Sequence, residues 1–270
     1  MESIATNFNR DGFVAPIRIL SENEIANYRK LLYTTLIEKL EDPEVSDKYV
    51  WQLHLLEPWL SRLVCEEQIV NAVQEILGPN ILAWNSTFII KHPFDQSYTS
   101  WHQDRTFWGL QPARAVTAWI AFTRSYRKNG CVLMMPGTHR EGQIDHANRY
   151  AEGNMLSRGQ EIDLNVGTDQ AVAMELQPGE MSLHDISVVH SSEPNNSKDI
   201  RIGYNITYIA PDVRQTRGPD TAYLVRGQDD YGNFFLAPTP RDSESKETQA
   251  VYAEAVSHRE DVLANDLATT

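Results

Sequence analysis

The chain has 270 residues, long enough for one large domain or two small ones. A hydrophobic content of 41% with a mean hydropathy of −0.44 allows a buried core in a water-soluble protein. Lys plus Arg number 24 against 37 Asp plus Glu, and the formal charge of −13 disfavours nucleic-acid backbones and anionic lipid, since both select positive surface.

The N-terminal "MESIATNFNRDGFVAP" has neither the basic n-region nor the apolar h-region of a secretory signal, and no apolar run approaches the ~20 residues that span a bilayer. Cys65 and Cys131 match no zinc or redox spacing, so no disulfide framework is expected. These features point to a cytoplasmic protein without a membrane partner. In residues 22–41 the apolar positions Ile25, Tyr28, Leu31, Leu32, Leu36 and Leu40 have helical spacing, with Ser21 and the neighbouring Asn23 and Glu24 as start signals. A second helix is expected from about Trp59 to Ile76, ending at Gly78-Pro79.

The texture then changes. "ILAWNSTFIIK", "ARAVTAWIAF", "CVLMMPG", "QAVAMEL", "GEMSLHDISVVH" and "IRIGYNITYIA" are short β-rich runs separated by Gly, Pro and Asn. Strands at this density without intervening helices predict an antiparallel sandwich or barrel. Residues 142–167 are polar, weakly patterned and too long for a simple turn, which suggests a lid or binding loop. The tail "ETQAVYAEAVSHREDVLAND" reads as an amphipathic helix. With no internal repeat or low-complexity linker, a single domain over 1–270 is expected: a helical part to about 80, a β core over about 81–212 and an extension over about 213–270.

The stretch "SYTSWHQDRTFWGL" places His102 and Asp104 two apart, on one face if the segment is a strand. The bland reading is an exposed strand with two polar residues. A second His-bearing segment, "MSLHDISVVHSSEPNNSKDIRIGYN", suggests more, because two His and one carboxylate form the facial triad of non-haem Fe(II) oxygenases. The open positions of such a site accept a 2-oxoacid and O₂. The distal carboxylate of 2-oxoglutarate needs a cationic fork, which Arg supplies. Arg201 follows His190 by 11 residues, and a hairpin through "SSEPNNSKD" would return it beside the His190 strand. Ser192 adds a hydroxyl nearby.

"WHQD", "AWIAF", "NGC", "PGTH" and then the His-Ser-Ser-Glu-Pro-Asn-Asn-Ser run with its Arg together resemble the phytanoyl-CoA dioxygenase family of Fe(II)/2-oxoglutarate oxygenases. The opening "NRDGFVAPIRILSENEIANYRKLL" is similar to that family's N-terminus, so the likeness covers most of the chain. It implies a mainly β double-stranded β-helix, a jelly-roll barrel of the cupin type, flanked by N-terminal and C-terminal helices. It also implies His102, Asp104 and His190 as iron ligands, with no catalytic side chain beyond them. Arg201 and Ser192 become the clamp on 2-oxoglutarate. Trp119 falls at a cofactor-contacting position, Thr117 shares its strand face, and Asn85 and Gln103 are counted with the cofactor contacts.

His184 competes with His190, since both have the same parity on one predicted strand. The 11-residue interval to Arg201 favours His190 over His184, which lies 17 residues away and is then a buried neighbour. His139 follows a Pro-Gly turn and is expected to organise a loop. Lys91, Arg105 and Arg140 are candidates for recognising an anionic group, with surface charge as the bland alternative. Tyr98, Trp101, Phe107 and Trp108 read as part core and part pocket wall, Trp51 and Trp84 as packing.

The expected reaction is hydroxylation of an unactivated C–H bond in a small polar or zwitterionic substrate. Fe(II), 2-oxoglutarate and O₂ take part, and succinate and CO₂ are released. Halogenation is disfavoured because Asp104 is present. Desaturation or ring closure, a non-enzymatic cupin-like binding or sensor domain, and a zinc or manganese hydrolase are the rivals.

Overall fold

The computed structural model describes residues 2–42, 51–149, 151–156, 159–162 and 168–268. Its residues group into two compact units. The first comprises Met1–Glu22, Ile89–Thr106 and Trp119–Tyr204, and the second Asn23–Phe88, Phe107–Ala118 and Asn205–Thr270. Among the described residues no helix is long and apolar enough to cross a membrane.

The first unit begins with a helix, Ile4–Asp11, that its ends define. The Ser3 hydroxyl accepts the Thr6 N–H at 3.1 Å, and Gly12, at φ +84°, sends its N–H back to Phe8 O. The strand Phe13–Arg18 follows and pairs antiparallel with Glu180–Asp185. That sheet continues through the end of Ala115–Ala121 to the start of Arg201–Ile209. A second sheet has the order Thr99–His102, His190–Ser192, Val132–Met134, Val172–Ala173. Phe13, Trp119, Ala121, Val132, Met134, Met174, Leu176 and Val188 form one core cluster. Side chains of this size each gain roughly 1.5–3 kcal/mol on full burial.

The second unit carries most of the helices. The single helix expected over 22–41 is interrupted: Glu22–Thr35 ends and Ile37–Glu41 starts after Leu36. Thr34 and Thr35 donate their hydroxyls to the Lys30 and Leu31 carbonyls, local bonds that compete with the helix ladder. The helix expected from Trp59 to Ile76 is likewise two, Pro58–Val64 and Glu67–Leu77, with Pro58 at the first turn of one and Gly78 beyond the end of the other. In the sheet of this unit Ile81–Lys91 lies between Arg201–Ile209 and Thr221–Arg226, which pairs in parallel with Phe235–Leu236.

The C-terminal helix, Lys246–Ala268, is held by a buried charge. The Arg259 guanidinium lies 3.7 Å from the Trp84 ring centroid and 3.5 Å from Asp220 Oδ2, which also accepts the Trp84 indole N–H at 2.8 Å. Trp84 is thus a packing residue, as the sequence suggests.

Of the loop expected over 142–167, Tyr150, 157–158 and 163–167 lie outside the described residues. The described part is not structureless, for Ala147–Asn148 and Gln160–Glu161 pair antiparallel.

Candidate functional site

His102 and His190 are brought together by strand pairing. They stand directly opposite each other in the register of Thr99–His102 with His190–Ser192, and their ring centroids are 4.1 Å apart. Asp104 arrives differently from the sequence expectation. The strand ends at His102, and Asp104 sits in the turn that opens the short helix Arg105–Trp108. A turn, and not the parity of one strand, sets its carboxylate beside the imidazoles.

That turn is anchored by Gln103. Its backbone N–H donates to His146 Nε2 at 2.9 Å. Its side-chain amide donates to Gly142 O and Ser187 O, and its carbonyl accepts the Ile144 N–H. Gln103 is fully buried, and these bonds tie the metal motif to the 142–146 loop. The sequence marks 142–167 as a lid or binding loop but does not link it or His146 to the metal motif, because no spacing rule connects residues 40 positions apart.

The donor atoms of His102, Asp104 and His190 lie within 4.8 Å of one another. His102 Nδ1 lies 2.9 Å from Ser100 O and His190 Nδ1 lies 3.0 Å from Val188 O. A carbonyl only accepts, so each Nδ1 carries the proton and each Nε2 is bare. Asp104 Oδ1 lies 3.3 Å from His102 Nε2 and 3.8 Å from His190 Nε2. Three lone-pair donors therefore face one another in a buried space. This arrangement is repulsive by itself and becomes favourable around a cation, so the residues fit a divalent metal. Burial pushes the His190 pKa down to about 3, which keeps this ring neutral and able to ligate. Burial works to raise the Asp104 carboxyl, but the surrounding imidazoles prevail and hold it below the usual carboxylate range.

His184 is not part of this donor set. It shares no strand with His190, since Glu180–Asp185 ends before the turn at 186–189 and belongs to the other sheet. The parity argument on one strand therefore fails, although the choice of His190 that the Arg interval favoured agrees with the geometry. His184 is buried beside the donor set, with Nε2 3.8 Å from Asp104 Oδ2.

Arg201 is 1% exposed. It does not return beside the His190 strand, as a hairpin would require. Both edges of His190–Ser192 are taken, by Thr99–His102 and Val132–Met134, so residues 193–200 carry the chain across to the other sheet. Asn195 shapes this crossing by donating to the Lys91, His92 and Asp199 carbonyls. One Arg201 nitrogen donates to Gly130 O, while its Nε has no partner. Its guanidinium carbon lies 5.5 Å from the Trp119 ring centroid, and the Trp119 indole N–H is buried without an acceptor.

Lys91 is a second buried cation. Its Nζ donates to Ser192 Oγ at 2.8 Å and to Glu193 O at 2.6 Å. Burial first, and then the charge on Arg201, bring its pKa down to about 7. Burial brings the pKa of Arg201 to about 10. Among the described residues neither cation forms an ion pair. The Lys91 hydrogen bonds all go to neutral oxygens and Arg201 keeps an unpartnered Nε, so two buried like charges here favour an anion nearby.

The remaining expected cofactor contacts lie in the second unit. Thr117 is fully buried and its hydroxyl has no partner, while Asn85 Oδ1 accepts the Gln52 N–H at 3.2 Å. His139 reaches Asn9 O and supports the Gly12 turn, as a loop organiser does. Arg105 donates to Ser187 Oγ at 3.3 Å. Trp101 packs with Met135, Ile162 and Val189, and Trp108 lies 5.2 Å from Trp84 between ring centroids. The Phe107 side chain lies outside what is described.

The chain is similar in sequence and fold to several known proteins. The non-haem monooxygenase ThoJ in its apo form is 28% identical, with a TM-score of 0.89 over 99% of this chain and 100% of that one. CytC3, solved with Fe(II) and α-ketoglutarate, is 25% identical, with a TM-score of 0.63 over 89% of this chain and 97% of that one. These neighbours share a double-stranded β-helix with helices flanking its ends. An ectoine dioxygenase from Streptomyces avermitilis is 28% identical over 147 residues, 50% of each chain, so the match spans about half of that relative. A probable alpha-ketoglutarate-dependent hypophosphite dioxygenase from Stutzerimonas stutzeri is 27% identical over 222 residues, 81% of this chain and 70% of that one. The family model described as phytanoyl-CoA dioxygenase (PhyH) matches residues 8–203, which include His102, Asp104, His190 and Arg201. Most of the chain is thus accounted for, and the protein belongs to the phytanoyl-CoA dioxygenase family.

Proposed function

We propose that the protein is an Fe(II)- and 2-oxoglutarate-dependent oxygenase that hydroxylates an unactivated C–H bond of a small molecule. The observation that carries this reading is the coexistence, in one unit, of the His102–Asp104–His190 donor set with the buried, unpaired cations Arg201 and Lys91. A metal alone explains the donors. Only a metal together with a carboxylate-bearing ligand explains both.

His102, Asp104 and His190 would hold the iron, which when bound supplies the oxidising chemistry that couples breakdown of 2-oxoglutarate and O₂ to substrate oxidation. Arg201 offers its fork to the distal carboxylate of 2-oxoglutarate. Lys91, braced by Ser192, adds a second positive charge there. The Trp119 N–H, unmet in the protein, is a further donor on the same side. Gln103 pins the metal-bearing turn and so acts on position instead of touching the cosubstrate. No side chain need serve as general acid or base.

A small polar or zwitterionic substrate is part of this reading, supported by relatives named for ectoine and hypophosphite. A cytoplasmic setting is part of it too, since both cysteines are free thiols, as a reducing compartment keeps them.

The test is succinate release with Fe(II), 2-oxoglutarate and O₂ over a metabolite panel, with mass detection of products. A product heavier by one oxygen supports hydroxylation. Loss of two hydrogens would mean desaturation or ring closure on the same site. No succinate, and no binding of 2-oxoglutarate to the Fe(II)-loaded protein, would leave a binding domain.

A further inference from the structure

The two oxygens of Asp104 have different neighbours. Oδ1 faces the pair of metal-binding imidazoles, at 3.3 Å from His102 Nε2 and 3.8 Å from His190 Nε2. Oδ2 lies 3.8 Å from His184 Nε2. His184 is 3% exposed, its ring centroid lies 5.0 Å from that of His190, and its Nδ1 is buried without a partner.

We propose that His184 is a positioning residue that turns Nε2–H toward Asp104 Oδ2, 3.8 Å away, and by that attraction keeps this carboxylate a one-toothed metal ligand. The inference rests on the iron and 2-oxoglutarate reading above and deepens it. Its basis is where the ring proton can go. The ligand histidines each spend an Nδ1–H on a backbone carbonyl, which leaves Nε2 bare. His184 has no acceptor at Nδ1, and a buried N–H without an acceptor forfeits a hydrogen bond it makes in water. Nε2 lies 3.8 Å from a carboxylate oxygen, beyond a full hydrogen bond but near enough for its charge to favour the proton there. His184 is the inverse of the other two rings: it faces the carboxylate with a proton where they face it with a lone pair.

The consequence lies in how many positions the metal keeps. Three protein donor atoms leave room for a chelating 2-oxoacid and O₂, whereas a carboxylate binding through both oxygens would occupy one of those places. A ring proton facing Oδ2 opposes that swing. The backbone supports the arrangement from both sides. His184 is fixed in register opposite Phe13, and Asp104 is fixed by the bonds of Gln103.

Two measurements test this. The first reads the tautomer directly, by long-range ¹H–¹⁵N correlation of the histidine rings in Zn(II)-loaded protein, with His184 assigned by comparison with His184→Gln. Protonation of His184 at Nε2 is expected. A proton at Nδ1 instead, or a metal-shifted His184 nitrogen, would overturn the proposal.

The second is anaerobic titration of Fe(II) and then 2-oxoglutarate into wild type, His184→Gln and His184→Phe, followed by the charge-transfer absorption of the chelate. Gln keeps a donor and should stay within about tenfold of wild type in metal affinity, while Phe should lose about 10–100-fold. At saturating iron, Phe should also bind 2-oxoglutarate more weakly. A folded Phe variant that matches wild type in both titrations would sink the idea. So would a Gln variant as impaired as Phe. Absence of the band in wild type would instead count against the iron and 2-oxoglutarate reading, with the ring tautomer still deciding the role of His184.

Discussion

A guanidinium and an ammonium buried together without a carboxylate are costly to keep, and a protein retains such a pair when an anion repays the desolvation. Arg201 and Lys91 therefore yield separate predictions. Arg201→Ala should weaken 2-oxoglutarate binding by two to three or more decades, because a carboxylate left unpaired in a buried site costs about 3–5 kcal/mol, and each decade is ~1.4 kcal/mol. Arg201→Lys should recover only part of this, since an ammonium lacks the two-toothed geometry. Iron binding should survive both, and anaerobic titration of the Fe(II) and 2-oxoglutarate absorption band reads all three outcomes. Lys91 adds a pH dependence. In the free protein its pKa is about 7, and an anion prefers the charged form. Affinity for 2-oxoglutarate should then fall as pH rises above 7, by at most about tenfold per pH unit. Lys91→Met should bind more weakly, with a flatter profile. An unchanged slope in that variant would remove Lys91 from the site. Asp104→Ala, which takes away the one anionic ligand, should abolish turnover. Full activity in that variant would overturn the triad.

Between elements, the decisive contacts are those in which one residue's absence of bulk or its charge fixes another's place. Gly203 is two residues past Arg201 on the same strand, and a Cβ built there would lie 2.0 Å from the Trp119 ring. The indole thus lies against bare backbone, with the Arg201 guanidinium over it. Gly203→Ala should cost about 1–3 kcal/mol as an overpacking change, seen as a Tm loss of roughly 2–10 °C. It should also loosen 2-oxoglutarate, because Trp119 and Arg201 would shift together. Normal Tm and normal affinity would mean that the indole moves aside freely. The C-terminal helix poses a parallel case. Arg259→Met leaves the buried Asp220 without its cation and should cost about 3 kcal/mol. Asp220→Asn in the same chain should restore part of that, since no unpaired charge would remain. A double variant that is simply additive would show that the ion pair contributes nothing specific.

At the scale of the whole molecule, buried histidines set the acid limit. His54 is fully buried against Ser86 Oγ at 2.7 Å, and burial holds its pKa down to about 3. The unfolded chain takes up this proton near the ordinary value of 6.5, so between 6.5 and about 3 the unfolded state binds more protons than the folded one. Stability is full above 6.5 and declines as pH falls through that window, by up to ~1.4 kcal/mol per pH unit for each such histidine. In metal-free protein His190 acts in the same direction, its pKa also being about 3. Denaturant unfolding of metal-free protein at pH 7, 6 and 5 should show the decline, and His54→Gln should make it shallower. A decline of equal slope in that variant would assign the effect to other groups.

The sequence by itself determined which donor types the candidate site offers. Two histidines, an aspartate and an arginine in a fixed order, separated by turn-forming residues, limit what the chain can bind whatever the path between them. The strand-dense middle and the helical ends were legible for a related reason, since burial on one face leaves a period in the residues. What the sequence did not carry is which strand lies beside which. His184 and His190 look alike along the chain, and only a turn at 186–189 sends them to different sheets. Asp104 meets the imidazoles through a turn that strand parity does not describe, and Arg201 crosses between sheets because both edges of the His190 strand are occupied. Lys91 reads from sequence as a candidate for an anionic group or as surface charge, and only tertiary packing shows it buried near Arg201. Residue type fixes what a group can do. The tertiary structure decides its neighbours, because pairing between distant strands is selected by the whole set of packed faces and not by any local run.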